Sequence, residues 1–409
     1  VGSLKAIYFV PDLNDTAVAR RVAMLTAGGI DVLVVGFWRG IRPPVAIANI
    51  SFVPLGRTYD ARFGQRAVHA IFRMVRQMQV PSEFRDAELL IARNLEMLAI
   101  SWAWNRRNGG NAALVYEVLD IHRMLLSEGI AGRVMRRLER FLMRECELLI
   151  TSSPAFVTHY FSPRQRIRIP VTIVENRLLR LDSDEPPSGI RQPPVGPPWR
   201  IGWFGIIRCR KSFAALRALA QNRPDLVVID IRGRPPKTVF TDLAQETVGT
   251  SNLTFGGPYQ PRDLAEMYGG VHFSWAIDYF EEGGNSEWLL PNRLYEGCAF
   301  GSVPIALART EAGRWLARAD IGLRLDDPTR DLEKTLDGLS PEVYAELRAQ
   351  VRRARAPTHA GIGDCRELGR HLADAVARKA RRATCAGVRV SGSTRDAPGS
   401  ATLFDEPLP

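Results

Sequence analysis

Between Asp278 and Ile305 the chain reads DYFEEGGNSEWLLPNRLYEGCAFGSVPI, and this stretch holds the residue types best spaced for chemistry. Gly283, Gly284, Asn285 and Ser286 can turn tightly and present backbone N–H groups. Pro291 suits the first turn of a helix, where its missing donor costs nothing. Gly301 suits the helix end, and the run Val303–Ile305 returns to an apolar strand. Asn292 and Arg293 precede Glu296 by four and three positions, so the three occupy neighbouring helical positions. An arginine at a helix N-terminus attracts a pyrophosphate, and a carboxylate one turn later accepts hydrogen bonds from ribose hydroxyls. The expectation is a sugar-nucleotide site. A capped helix with a solvated ion-pair face is the plain alternative, and a matching basic loop far upstream weighs against it.

That upstream loop follows the apolar run Arg200–Phe204, where Gly205 leads into Ile206–Ile207–Arg208–Cys209–Arg210–Lys211–Ser212. Ser212 is expected to cap the next helix. Arg208 and Lys211 then stand at the mouth of a strand–helix turn, where their charge could stabilise a departing diphosphate. A second turn, Gly233–Arg234–Pro235–Pro236, is expected to line the same pocket. A solvated basic turn is the other reading, in a chain with 55 lysines and arginines.

The elements that must position these groups alternate. Strands are expected at Lys5–Val10, Val32–Phe37, Val45–Val53, Leu89–Arg93, Leu114–Leu119 and Leu148–Thr151, with helices at Asp15–Ala27 and Ala61–Met78 between them. Asp182–Trp199 (DSDEPPSGIRQPPVGPPW) breaks the pattern as a proline-rich linker. Alternation resumes with strands at Arg200–Phe204, Val227–Ile231, Leu253–Phe255 and Val271–Ala276, and helices at Ser212–Ala220 and Arg262–Tyr268. Helices follow at Asp331–Leu336 and Val343–Arg355. The predicted fold is α/β, with two doubly wound domains, 1–181 and 200–356, facing across a cleft on either side of the linker 182–199. A helical segment, 357–386, is expected to cross back over the first domain, and 387–409 reads as a disordered tail.

Composition excludes several classes. The 409 residues exceed one ordinary core, and 45% hydrophobic content is globular. No apolar run is long enough to cross a bilayer, and VGSLKAIYFVPDL enters a strand too soon for a secretory signal, so a cytoplasmic location is expected. Cys146, Cys209, Cys298, Cys365 and Cys385 are scattered without CxxC spacing, and the six histidines form no ligand pair, so no metal or cofactor is expected. The net charge of +11 calls for an acidic partner, a phosphorylated substrate or an anionic membrane surface. Nucleic acid is disfavoured, because no RNA-binding aromatic motif or zinc-finger spacing is present. No strand leads into GxGxxG, which argues against a nicotinamide enzyme. The triplet Asp182–Ser183–Asp184 lies in the linker and is not read as a metal site.

The strand–Gly–IIRCRK–helix unit, the turn at Gly257–Pro258–Tyr259 and NRLYEGCAFGSVPI resemble the nucleotide-binding half of GT-B-fold glycosyltransferases. The likeness is to the group-1 (family 4-like) enzymes of bacterial exopolysaccharide assembly. The run YFVPDLNDTAVARRVAMLTAGG with VLVVGFWRG is similar to their succinoglycan-biosynthesis branch, and the resemblance spans Lys5–Asp326. It implies transfer of glucose from UDP-glucose to a lipid-diphosphate-linked oligosaccharide. By position, Glu296 would hold the ribose, Arg208, Lys211 and Arg293 the diphosphate, Gly284, Asn285 and Asn292 the surrounding donor, and Tyr259 the uracil or simply a core position. Retaining members carry a glutamate eight positions before the ribose-binding one. Here that position is Trp288, with Glu287 adjacent but off the expected face, which favours inversion.

Inversion needs a general base on the acceptor side. Asp120 follows the strand Leu114–Leu119 and is the first choice, with His122 orienting it or binding acceptor; Asp12 is the runner-up. Helix capping explains either aspartate equally well. Arg62, Arg66, Arg73 and Arg76 in the helix Ala61–Met78, and the similar stretch Arg133–Arg144, could lie on anionic lipid, where each basic side chain adds about 1 kcal/mol. Packing on the sheet is the alternative for both. Two other functions fit the architecture: a sugar-nucleotide 2-epimerase, which would need no acceptor surface, and a non-catalytic assembly subunit, which would bind nucleotide without turnover or not at all.

Overall fold

The computed structural model describes residues 3–39, 42–44, 46–48, 50–57, 78–181 and 192–391. Strands β1 (Leu4–Val10), β2 (Ile30–Trp38), β3 (Phe52–Arg57), β4 (Leu89–Arg93), β5 (Ala113–Val118), β6 (Cys146–Thr151) and β7 (Val171–Ile173) form one sheet in the order β3-β2-β1-β4-β5-β6-β7. Every pairing is parallel. After β8 (Leu178–Leu179), the strands β9 (Trp199–Ile206), β10 (Val227–Arg234), β11 (Leu253–Phe255), β12 (Phe273–Trp275), β13 (Val303–Leu307) and β14 (Leu323–Leu325) form a second parallel sheet, ordered β11-β10-β9-β12-β13-β14. Helices cover both faces of each sheet, so β4, β5, β6 and β13 are buried throughout and read as mainly apolar runs, broken only by residues such as Arg93, Glu117 and Glu147. The chain reverses its strand order between β1 and β4, and again between β9 and β12. These are the points where crevices open at the carboxyl ends of the strands.

The expected strands form within one or two residues of their sequence limits, apart from Val45–Val53 and Val227–Ile231, the second of which runs three residues further, to Arg234. Of the first, only Phe52 and Val53 enter β3, while Ile47 and Ile50 make an isolated antiparallel bridge. Apolar content alone could not locate an edge strand that carries Pro54. Val271–Ala276 shortens to β12, and the linker yields Trp199, fully buried, to β9. Almost all of Ala61–Met78, and the Asp182–Ser183–Asp184 triplet, lie outside the described residues.

The helix Ile362–Ser391 follows the second domain and packs back on the first. It continues through Gly387 to Ser391, where a disordered tail was expected; 392–409 lie outside the described residues. Leu368, Leu372 and Ala375 repeat at one-turn spacing and are buried with Val18, Val22 and Leu25 of the helix Thr16–Ala27. Each buried leucine contributes about 1.5–3 kcal/mol. Two glycines permit the approach. A Cβ on Gly28 would lie 2.4 Å from the Cys365 carbonyl oxygen, and one on Gly369 would lie 2.5 Å from that of Gly28. Further along, Arg378 donates to the Glu147 carbonyl and Arg382 pairs with its carboxylate at 3.1 Å. A two-stranded pairing of β8 with β15 (His359–Ala360) closes the same crossing.

Candidate functional site

On the second domain, Gly205 lies near the end of β9 with φ +116° and still pairs with Gly233 of β10. Gly233, at the end of β10, passes so close that a Cβ there would sit 1.8 Å from the Gly205 carbonyl oxygen. The following helix, Arg210–Asn222, is capped by Cys209, whose Sγ accepts from the Ser212 N–H at 3.3 Å. Ser212, the expected cap, lies buried inside the helix and donates its hydroxyl to the Ile277 carbonyl. The helix starts two residues earlier than its serine suggested.

Arg208 meets Asp278, just beyond β12, through Nε and Nη2, both at 3.1 Å from Oδ2. Arg293 approaches the same carboxylate oxygen at 3.9 Å, and its buried Nη1 has no hydrogen-bond partner. Asp278 thus holds two of the expected diphosphate-binding arginines side by side. It escaped the sequence reading, although its position after a strand is the signal that singled out Asp120. Lys211 stands apart: its ammonium pairs with Glu282 at 2.9 Å and lies over the Tyr279 ring, half exposed.

The helix Asn292–Ala299 starts at Pro291, its N-cap rather than its first turn, and ends before Gly301, whose φ of +80° suits a residue without Cβ. A Cβ on Gly297 would lie 2.3 Å from Ser274 Oγ, so glycine allows this helix to seat on β12. Glu296 is partly buried and accepts from the Tyr268 hydroxyl at 2.9 Å. Burial pushes its carboxyl pKa up, and Tyr268, Arg20 and Arg293 oppose that rise. Tyr259 packs beside Phe204 and Tyr268, with Glu296 and Arg293 close enough to act on its hydroxyl, which burial pushes up to about 12. Arg20, from the first domain, is a further residue that sequence reasoning missed. It donates to Asn176 at 2.9 Å and reaches Asn292 at 3.5 Å. Burial brings its pKa down to about 10 against the field of Glu296.

On the first domain, Asp120 lies in the loop after β5, accessible to solvent yet walled by protein. Desolvation raises its pKa, while Arg208, Asn285 and His122 pull it back. The base candidate and the diphosphate candidate therefore face each other across the cleft. His122 does not orient Asp120 by a hydrogen bond: its Nδ1 accepts from Met124 N–H at 3.3 Å and caps the helix Arg123–Leu126. Asp12 binds the backbone N–H groups of Asn14 and Arg39 at 3.0 and 3.2 Å, closing the loops after β1 and β2. Beneath the site Glu117, wholly buried, pairs with Arg21 at 2.6 Å and Arg93 at 2.8 Å and accepts from Tyr8.

The glycine loop also differs from expectation. Gly283 has φ +76°, but its N–H donates to Glu287, and those of Gly284 and Ser286 donate to the Glu281 carbonyl. The loop closes on itself and on the other domain. Gly284 lies against Leu126, and buried Asn285 accepts from Ile121 N–H while its side chain lies beside Asp120 and Glu281 and favours their ionised forms. Trp288 stacks on His159 with centroids 5.6 Å apart, and its carbonyl accepts from Ser153. Glu287 turns to Gly283 and Arg309. No group of three or more His, Cys, Asp or Glu side chains among the described residues is arranged to hold a metal.

Two Rossmann-like domains facing across a cleft, closed by a helix that returns to the first, define the GT-B class of glycosyltransferases. Sucrose-phosphate synthase of Thermosynechococcus elongatus superposes with a TM-score of 0.68 at 13% identity, covering 91% of this chain and 99% of that one. The HepE protein of Anabaena, solved with UDP and glucose, gives 0.63 at 13% identity, covering 89% and 98%. The apo lipopolysaccharide outer core galactosyltransferase WaaB gives 0.61 at 10% identity, covering 92% and 99%. At such identities the likeness is one of fold. No protein-family profile matches the chain. In sequence it is 42% identical over 379 residues to the succinoglycan biosynthesis protein ExoL of Rhizobium meliloti (strain 1021), covering 90% of this chain and 93% of that protein. The chain belongs to the ExoL family of succinoglycan biosynthesis proteins.

Proposed function

We propose that the protein is a glycosyltransferase of exopolysaccharide biosynthesis. It moves a hexose, glucose from UDP-glucose, onto a lipid-diphosphate-linked oligosaccharide at the cytoplasmic face of the plasma membrane. The observation that carries this reading is the convergence of Arg208, Arg293, Tyr259 and Glu296 at one strand edge, opposite Asp120. Kinship with ExoL supports the pathway, and HepE, of the same fold and solved with UDP and glucose, supports the donor.

In this reaction Asp120 takes the proton of the acceptor hydroxyl as its oxygen attacks C1 of the sugar. The bond from C1 to the diphosphate breaks on the opposite face, giving inversion. UDP leaves carrying the electron pair, and Arg208 and Arg293 neutralise its charge. Glu296 holds the ribose through the oxygen that Tyr268 does not occupy, and Tyr259 contacts the uracil. Glu287 is engaged elsewhere and Trp288 carries no carboxylate, which supports inversion over retention. The arginines supply the charge that a metal would otherwise supply, so turnover is expected to survive a chelator.

The test is calorimetric titration with UDP of the wild type, Glu296→Ala and Asp120→Asn, followed by UDP-glucose turnover on lipid-linked acceptor. Binding that is lost in Glu296→Ala, and kept without turnover in Asp120→Asn, supports both assignments. A wild type that ignores UDP overturns the donor site.

A further inference from the structure

The helix Ile130–Met143 exposes a row of apolar side chains. Ile130, Val134, Leu138 and Phe141 are 73%, 55%, 41% and 48% exposed, and their spacing of four, four and three residues aligns them in one stripe. Met124, on the preceding short helix Arg123–Leu126, is exposed as well. The opposite side is committed to the core through Gly132, Arg136, Leu142 and Met143. The one acid of this helix, Glu139, is also fully buried, where it accepts from Tyr116, Tyr160 and Gln165. Arg133, Arg137 and Arg144 are exposed and, at 100° per residue, form a second row beside the apolar one. At the far end of the stripe, Trp102 meets Phe141 edge-on at 5.7 Å, and Arg106 lies 6.0 Å over the Trp102 ring.

We infer that this face docks on an anionic lipid bilayer. An exposed apolar stripe edged by arginines, with an aromatic pair at one end, matches the interfacial zone, where apolar groups enter the acyl boundary and cations meet lipid phosphates. A second copy of the chain fits less well, because a two-fold contact through this face would set the arginine row against its own like charge. The helix follows the loop that carries Asp120, and Leu126 touches Gly284 at the domain junction. Docking would thus bring the cleft beside the headgroups. Its purpose rests on the lipid-linked acceptor proposed above; its test does not.

The experiment is flotation of the full chain with vesicles of phosphatidylcholine, alone or mixed with phosphatidylglycerol, beside thermal unfolding and UDP titration of the same samples. The wild type is expected to float with the mixed vesicles only, and less so as salt rises. Arg133→Gln with Arg137→Gln should lower partitioning by about 30-fold, at about fivefold per arginine. Ile130→Ser with Val134→Ser should abolish it, with melting and UDP affinity unchanged in both variants. A wild type that stays free of mixed vesicles overturns the inference, as does flotation that survives both double substitutions. A dimer that the Ile130→Ser, Val134→Ser variant dissolves would assign the face to self-association instead. Flotation without transfer to lipid-linked acceptor would leave the docking face standing and remove the transferase reading.

Discussion

Asn285 of the second domain accepts a hydrogen bond from the backbone N–H of Ile121, in the first domain, at 3.2 Å. Ile121 follows Asp120 directly, so this bond ties the base candidate to the loop before the Glu296 helix. Removing the amide should loosen the domain junction by about 1 kcal/mol, the usual net worth of such a bond. Asn285→Ala is expected to have a larger radius of gyration than the wild type by small-angle X-ray scattering, and a raised KM for donor. Identical scattering curves would mean that the other contacts across the cleft, Trp288 with His159 and Ser153 and Arg20 with Asn292, hold it without this bond.

Asp120 carries the pH dependence. Desolvation raises its pKa and Arg208, the largest opposing influence, recovers only part of that shift. A base must be ionised, so the acid limb of kcat should lie above the ordinary carboxylate range of about 4. Asp120→Asn should eliminate turnover while leaving UDP affinity within about twofold. A pH profile flat from the ordinary carboxylate range upward would assign the base elsewhere.

Glu117 links stability to pH. Burial by itself would raise its pKa, but Arg93, Arg21 and the Tyr8 hydroxyl outweigh it and hold the carboxyl at about 2. A pKa depressed in the folded state contributes stability that is complete above the unfolded value of about 4.5 and is lost as pH falls towards about 2. The contribution is about 3 kcal/mol, at 1.36 kcal/mol per unit. Glu117→Gln leaves two buried arginines short of their counter-charge and should cost about 3–5 kcal/mol at neutral pH. Urea unfolding at several pH values measures both. A variant as stable as the wild type would show that this cluster is not a folding determinant.

Gly369 is expected to control docking of the returning helix. Alanine there would gain about 1 kcal/mol of helix propensity, yet its Cβ would meet the Gly28 carbonyl oxygen at 2.5 Å. Backbone on both sides cannot yield cheaply, so Gly369→Ala should lower Tm. Gly363→Ala in the same helix is the control, because nothing lies within 4 Å of a Cβ there, and it should not lower Tm. Equal melting temperatures in the two variants would mean that the crossing adjusts without cost.

Much of the architecture was legible because its signals are local. A parallel strand buried on both faces is a mainly apolar run, so β1, β4, β5 and β6 stand out before any contact is known, in spite of Lys5, Arg93, Glu117 and Glu147 within them. Pro291 and Gly301 bracket the Glu296 helix, and helical spacing alone brings Asn292, Arg293 and Glu296 together. Val45–Val53 and Ser212 misled for the converse reason. An edge strand has only one neighbour to set its limits, and the start of the helix after β9 follows from where the sheet delivers the chain.

The sequence by itself determined two α/β units, the break between them and one helix bearing a carboxylate and an arginine, because apolar period and caps act within a few residues. Only the tertiary structure decided which charges meet. Arg208 finds Asp278 across 70 residues, Arg20 reaches Asn292 across 272, and Asn285 finds the Ile121 N–H across 164. It also turned Lys211 towards Glu282 and made His122 a cap. Ion pairs and hydrogen bonds are short-ranged, so their partners are set by strand order and helix packing, which no local spacing encodes.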